Sequence, residues 1–396
     1  MDNSSFATLN INQPASLFYK KKNKRLVKKN IIFIILLLII IVFHFILIYK
    51  IFKKNNRFIN NNSNIISSIK ANNFNEYLEQ QFNLSKEFIK YYSLIYNALT
   101  DNSYRHFRYS HSYEYNFNDK EKKGMGICSI GKRENLYAKE FVEYYRKLGI
   151  KKIIIIDNND INDERFQDVL ENYIKEKFVE IIDIRGIEYS QKPAFNYCYR
   201  KYRNEFDFMA FIDFDEYITI KNNKSINDFL YDSKFKKCQS IFLNWEMYGD
   251  NDLIKYDNRP MIERFTKPYI KLKRGKCIVR ADISNLLVTT GHIVGINVNN
   301  FCDSNGNRIF PREITQFDFK VPENSEAYIK HFYTKTVEEF CIKVNKGSPH
   351  FNNNIMIIQS RISRFMKYNK MTNEKKDIIE KCIGIKIKGN NIKKNF

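Results

Sequence analysis

From Gly124 onward the sequence alternates short, almost wholly apolar runs with segments of helical periodicity. That alternation restricts the fold more than any other feature. GICSI at 126–130 has the pattern of a buried strand. Residues 134–148 carry helical spacing, with Leu136, Phe141, Val142 and Tyr145 expected on one face, and Gly149 stops the helix. Lys152 to Ile156 is a second buried strand, ending in Asp157, Asn158 and Asn159. A helix is expected from Asp163 to about Glu176, a third strand from Val179 to Ile184, a helix from Pro193 to Arg203, and a fourth strand from Phe208 to Ile212. Strands apolar on both faces, separated by helices at short spacing, are the mark of βαβ units. They predict an α/β domain with a mostly parallel central sheet covered on both sides. Ligands of such sheets bind at the carboxyl ends of the strands.

The fourth strand ends in Phe211-Ile212-Asp213-Phe214-Asp215-Glu216-Tyr217. Asp213 and Asp215 are two apart and share a side in extended backbone. They leave the core together, and close carboxylates repel unless a cation lies between them. Hard ions such as Mn²⁺ or Mg²⁺ take oxygen ligands and bridge to phosphate oxygens. Spacing alone is weak evidence, since Asp250-Asn251-Asp252 also satisfies it; the strand-end context singles out the first pair.

Before the domain, Ile31 to Tyr49 is apolar throughout except for His44. Nineteen helical residues span roughly 28 Å, close to the hydrocarbon thickness of a bilayer. No small-residue cleavage site follows, so a signal anchor is expected. Seven Lys/Arg precede the span and four follow closely, placing the amino terminus in the cytosol. The expected organisation is a basic cytosolic tail (1–30), a transmembrane anchor (31–49), a stem and helical lead-in (50–122), the catalytic domain (123–350) and a basic carboxyl-terminal extension (351–396). A helix is expected near residues 76–99. Asn61, Asn83 and Asn223 stand in Asn-x-Ser sequons, compatible with a lumenal domain.

The formal charge of +22 lies mostly at the two ends, which argues against a basic stripe on the domain and against nucleic acid as a partner. Seven cysteines all follow the apolar segment and none has CxxC spacing, so a structural zinc site is not expected. On a lumenal side up to three disulfides are possible, with connectivity open.

Six segments, in order, resemble glycosyltransferase family 92 and the related family-2-like glycosyltransferases. They are Lys132-Arg133-Glu134-Asn135; Gly149 with Ile155 to Asn159; Gln191, Ala194 and Cys198; Phe211 to Tyr217; Asn244-Trp245 with Gly249; and His331 to Thr336 with Glu339, Phe340, Lys343 and Gly347. Tyr217, Phe332, Thr336 and Lys346 depart mildly from the family pattern, and Glu134 and Asn135 stand in reversed order.

The resemblance implies a GT-A fold, a UDP-sugar donor, a Mn²⁺ or Mg²⁺ cofactor, and inverting transfer of a hexose, galactose first, to a glycan acceptor. The anchor makes a type II membrane protein expected, and the usual home of that topology is the Golgi. The alternatives are another hexose or N-acetylhexosamine moved to a polysaccharide or lipid, and a catalytically inactive glycan-binding relative. The expected metal ligands are Asp213, Asp215 and His331, with His292 competing for the last place. Arg133, Glu134, Asp157, Gln191 and Lys335 are expected at the donor and Trp245 at the acceptor. Asp250, ahead of Glu246, is expected as the general base that an inverting transfer needs.

Overall fold

The computed structural model describes residues 113–115, 121–187, 191–284, 286–288, 294–296, 298, 300–309, 322–346, 355–384 and 387. The apolar segment 31–49, the stem, the helix expected near 76–99 and His292 lie outside them. Among the described residues no helix is long and apolar enough to cross a membrane.

The first strands are β1 (Met125–Gly131), β2 (Lys152–Asp157), β3 (Val179–Asp183) and β4 (Phe208–Phe211). Between them lie α1 (Asn135–Leu148), α2 (Phe166–Lys175) and α3 (Gln191–Tyr202). Their branched and aromatic side chains alternate between two cores. Ile127, Ile153, Ile155, Phe208 and Ala210 face α1 and α2, whereas Cys128, Ile154, Ile156, Met209 and Phe211 face α3. Such a strand stays apolar at every position because both of its faces are covered. α1 buries Tyr137, Ala138, Phe141, Val142 and Tyr145 and ends on Gly149 at φ 95°. Only a residue without Cβ takes that left-handed cap cheaply. Leu136, expected on the buried face, is half exposed. It stands in the first turn, one position off the stripe that Tyr137 and Phe141 define.

The later chain adds β5 (Glu216–Ile220), β6 (Ser240–Tyr248), β7 (Pro268–Arg280), β8 (Leu287–Val288), β9 (Val294–Ile296), β10 (Phe301–Asp303), β11 (Arg308–Ile309) and β12 (Ala327–His331). Two short helices intervene, α4 (Ile226–Leu230) and α5 (Met261–Arg264). The main sheet runs β11-β10-β6-β7-β4-β1-β2-β3, and β12 pairs with both β6 and β5. The sheet is therefore mixed. The β4-β1-β2-β3 half is parallel as expected, but β7 pairs antiparallel with both β4 and β6, and β12 antiparallel with β5. The parallel expectation rested on the first four strands alone; an antiparallel strand inserted from far along the chain leaves no local signature.

The chain closes with α6 (Val337–Asn345), α7 (Ile355–Tyr368) and α8 (Asn373–Ile383). Residues of the basic extension thus form two helices. Ile362, Phe365 and Ile379 from them join Val337, Phe340 and Val344 of α6 in one apolar cluster. Three disulfides, Cys128–Cys198, Cys238–Cys302 and Cys341–Cys382, tie β1 to α3, the lead into β6 to β10, and α6 to α8. Cys277 is buried and belongs to none of them.

β6 and β7 cross closely at a register shift between Asn244 and Glu246. A Cβ on Gly275 would lie 1.8 Å from the Leu243 carbonyl oxygen. Backbone cannot move aside as a side chain can, so Gly275→Ala should destabilise the domain by about 1–3 kcal/mol in urea unfolding, by overpacking. An unchanged midpoint would mean that the two strands separate more freely than this.

Candidate active site

The motif after β4 turns sharply into β5, and α1 holds the turn in place. The Tyr145 hydroxyl donates to the Glu216 carbonyl at 2.9 Å and accepts from the Ile218 amide at 3.1 Å. Phe214 packs against Phe141 at 4.7 Å between ring centroids. With Phe214 and Tyr145 anchoring the turn, Asp213 and Asp215 project at the carboxyl edge of the sheet.

Their partners differ. Lys276 of β7, fully buried, reaches Asp213 Oδ2 at 2.8 Å and Glu216 Oε2 at 3.2 Å. Burial opposes the charge on Lys276, but Asp213 and Glu216 outweigh it and hold the ammonium above its ordinary pKa. Glu216 also accepts the Asp213 backbone N–H at 3.0 Å, and burial pushes its carboxyl up to about 8.

Asp215 faces the other way. Lys343 of α6 lies 2.6 Å from its Oδ2, and His331 Nε2, at the end of β12, lies 3.6 Å from its Oδ1. Burial alone would raise the Asp215 carboxyl; Lys343 foremost, then His331, hold it well below the usual carboxylate range. Burial lowers the His331 pKa, which favours the neutral imidazole, and its buried Nδ1 has no hydrogen-bond partner. Asp213, Asp215 and His331 thus come to one region, but Asp213 turns toward Lys276 while Asp215 and His331 face each other. Among the described residues no three His, Cys, Asp or Glu side chains form a group suited to a metal ion.

The opening and closing motifs meet beside this pair. Glu134, capping α1, is paired with Lys346 and lies 3.8 Å from Lys335 Nζ. Lys335 is buried, sits 3.4 Å over the Tyr137 ring, and has its pKa lowered by burial. Arg133 and Lys335 both adopt left-handed backbone at φ 54°. Neither is glycine, and such geometry persists only where the surroundings impose it. The Arg133 backbone N–H donates to Asn159 Oδ1 at 2.6 Å, while its guanidinium pairs with Asp163. Asp157 stands level with Gly131 and Asp183 at the ends of β1 and β3. Its Oδ1 accepts from the Asn159 amide and side chain, and its Oδ2 is buried without a partner. Burial raises the Asp157 carboxyl. Gln191 opens α3 and is buried.

The residues expected on the acceptor side divide. Trp245 packs on His331 at 4.6 Å between ring centroids. Glu246, next along β6, points to the opposite face of the strand. There it accepts from the Tyr248 hydroxyl at 2.8 Å and lies 3.7 Å from Lys271. Asp250 is buried, 2.8 Å from Lys375 of α8, and its backbone N–H donates to Asn369. To act as a base it would have to leave Lys375.

Four lysines therefore interleave with four carboxylates at the carboxyl edge: Lys276, Lys335, Lys343 and Lys346 with Glu134, Asp213, Asp215 and Glu216. Of these, Lys276 was not expected at the site, and Glu216, Lys343 and Lys346 only by their place in a motif. The available signal for Lys276 was its place directly before the apolar run Cys277-Ile278-Val279, at the end of a basic stretch with Lys271, Lys273 and Arg274.

A family model for glycosyltransferase family 92 matches residues 121–381 of the 396. The chain belongs to glycosyltransferase family 92. A family 92 protein of Oryza sativa subsp. japonica is 22% identical over 162 residues, 41% of this chain and 27% of that protein. One of Ricinus communis is 27% identical over 104 residues, 26% of this chain and 18% of that protein. The alignments thus span well under a third of these relatives' own lengths. Among solved structures, S. aureus TarS matches with a TM-score of 0.31 and 12% identity, over 66% of this chain and 48% of TarS. Its residues 1–349 in complex with UDP match with a TM-score of 0.30 and 13% identity, over 66% of this chain and 70% of that one. A likeness this low leaves the site to be read from its own geometry, and the family 92 motifs are the ones the fold has gathered around Asp215.

Proposed function

We propose that this family 92 protein is a glycosyltransferase with a GT-A-type domain. In this reading it moves a hexose, galactose first among the candidates, from a UDP-sugar to a glycan acceptor with inversion. The observation that carries the reading is the meeting of Asp215, His331 and Lys343 at the carboxyl edge of the sheet, drawn from two motifs and from three separate places in the fold.

A divalent cation, Mn²⁺ or Mg²⁺, fits this pair in its chemistry. A carboxylate oxygen and a neutral imidazole nitrogen face each other at 3.6 Å, and both are ordinary ligands of such ions. Asp215 and His331 would hold it, with donor phosphate and water completing the shell. Bound there, the cation would act as a Lewis acid on the departing diphosphate. The protein's own share is electrostatic and positional. Lys335, buried, and Lys343 and Lys346, half-buried, place ammonium groups where phosphate charge would develop, and charges withdrawn from water act strongly there. Lys276 fixes Asp213, and with it the turn that presents Asp215. Arg133 and Glu134 border the donor side, Asp157 has a buried oxygen to offer a sugar or base hydroxyl or N–H, and Gln191 opens the neighbouring helix. Trp245, against His331, presents an aromatic face to the acceptor.

The apolar run 31–49 supports a type II membrane anchor, and the three disulfides suit an oxidising lumen, as in the Golgi pathway.

Release of UDP from a panel of UDP-sugars, measured on residues 52–396 with and without Mn²⁺, tests the reading. Turnover with one sugar that needs Mn²⁺ is the expected result. A folded protein that neither binds UDP nor turns over any donor would overturn it.

A further inference from the structure

The far edge of the sheet holds a cavity. β6 and β4 are each antiparallel to β7 and so run the same way. Ser240, where β6 begins, therefore lies at the edge opposite the end of β4 and its aspartates. β10 starts beside it, with Phe301 across from Ser240. The segments leading into these strands, together with β11, enclose about 310 Å³. Lys234, Lys236, Lys237 and Arg308 line it, and Glu114 is the sole carboxylate among the lining residues.

Lys234 is matched by Glu326 at 2.5 Å and by Asp232 at 3.6 Å. Two of the cavity's cations, Lys236 and Lys237, stand without a carboxylate partner among the described residues. The frame around them is rigid. The Cys238–Cys302 disulfide joins the two segments that form the floor. Asp303 Oδ1 accepts the backbone N–H of Asn305 and of Asn307, each at 2.9 Å, closing the turn before Arg308. Gly306, at φ +84°, brings that turn so near Lys234 that a Cβ would lie 2.9 Å from the lysine Cβ. A preformed concavity with excess cations selects an anion. Its volume stands at the low end of small-molecule sites and exceeds what a bare oxyanion fills.

We propose that this cavity binds a phosphate or sulfate monoester carried on a single sugar-sized group, at a site separate from the donor's. The assignment rests on the cavity alone and stands whether or not the chain transfers sugar. Lys236 and Lys237 contact the oxyanion, and the polar lining from Ser233 and Asn300 meets the hydroxyls of the group that bears it.

Calorimetric titration of the full chain with glucose 6-phosphate, glucose 6-sulfate, glucose and inorganic phosphate tests this. Saturable binding of at least one ester is expected, tighter than inorganic phosphate, absent for glucose, and weakened by added salt. Lys236→Gln/Lys237→Gln should weaken it at least about tenfold, the effect of losing a charge-assisted hydrogen bond, with the thermal midpoint unchanged. Asp215→Asn should leave it as it is. No saturable binding of either ester, inorganic phosphate binding as tightly, or a double variant that binds like the wild type would each overturn the proposal.

Discussion

Asp215→Asn is expected to lower kcat/KM for the UDP-sugar by about 10²–10³-fold, the range for removing one preorganised electrostatic group from a transition state. The amide keeps the shape of the side chain and removes its charge. Lys343, 2.6 Å away and half-buried, then loses its counter-charge, and the amide can keep an oxygen toward only one of Lys343 and His331, which lies 3.6 Å away. Mn²⁺ affinity should fall with it, and His331→Ala should weaken Mn²⁺ in the same way. Asp213→Asn should leave Mn²⁺ affinity nearer to wild type, because that carboxylate turns toward Lys276 while Asp215 is the one that faces His331. Steady-state kinetics across a Mn²⁺ titration separates the variants. Equal losses of Mn²⁺ affinity at Asp213 and Asp215 would refute the division of labour between the two aspartates.

That division could not be read from the sequence, although the motif could. β1 to β4 were legible because a strand buried on both faces is apolar at every position, and Ile153 to Ile156 allows few other readings. The aspartates were legible because they follow such a run. Their separate partners were not, since Lys276 lies 63 residues from Asp213 and Lys343 lies 128 from Asp215. In a chain with 66 Lys and Arg, composition marks neither one. The antiparallel insertion of β7 between β4 and β6 is likewise a long-range pairing, and it is what carries Lys276 to the site. Asp250 is the converse case: its loop position suggests reach, and nothing in the sequence signals that Lys375, from a helix 123 residues further on than Asp252, lies between the two carboxylates.

Arg264→Ala should cost about 3–5 kcal/mol of stability, the range for breaking a buried ion pair by removing one partner. Arg264 and Glu339 are both essentially inaccessible and meet through two hydrogen bonds of 2.7 and 2.9 Å. Burial alone would raise the Glu339 carboxyl, but Arg264 holds it below its ordinary value. A depressed carboxyl contributes stability that is present above the unfolded-state pKa, near 4.3, and is lost as pH falls through the folded-state value. In Arg264→Ala the sign reverses: Glu339 is left buried without its cation, protonation relieves it, and the deficit relative to wild type should shrink toward about pH 4. Urea unfolding at several pH values measures this, and a deficit independent of pH would mean that the loss is packing rather than charge. Arg264→Met/Glu339→Leu should recover most of the stability, since a well-packed apolar pair replaces a buried ion pair at little cost. It should not recover activity in proportion. Glu339 also closes the capping box of α6 with Thr336, its side chain accepting the Thr336 N–H at 3.1 Å while its own N–H donates to the Thr336 hydroxyl at 3.2 Å. That cap fixes the start of the helix whose next turn carries Lys343 to Asp215. A double variant that is stable but slow would show that the buried pair serves the position of Lys343 as well as the fold.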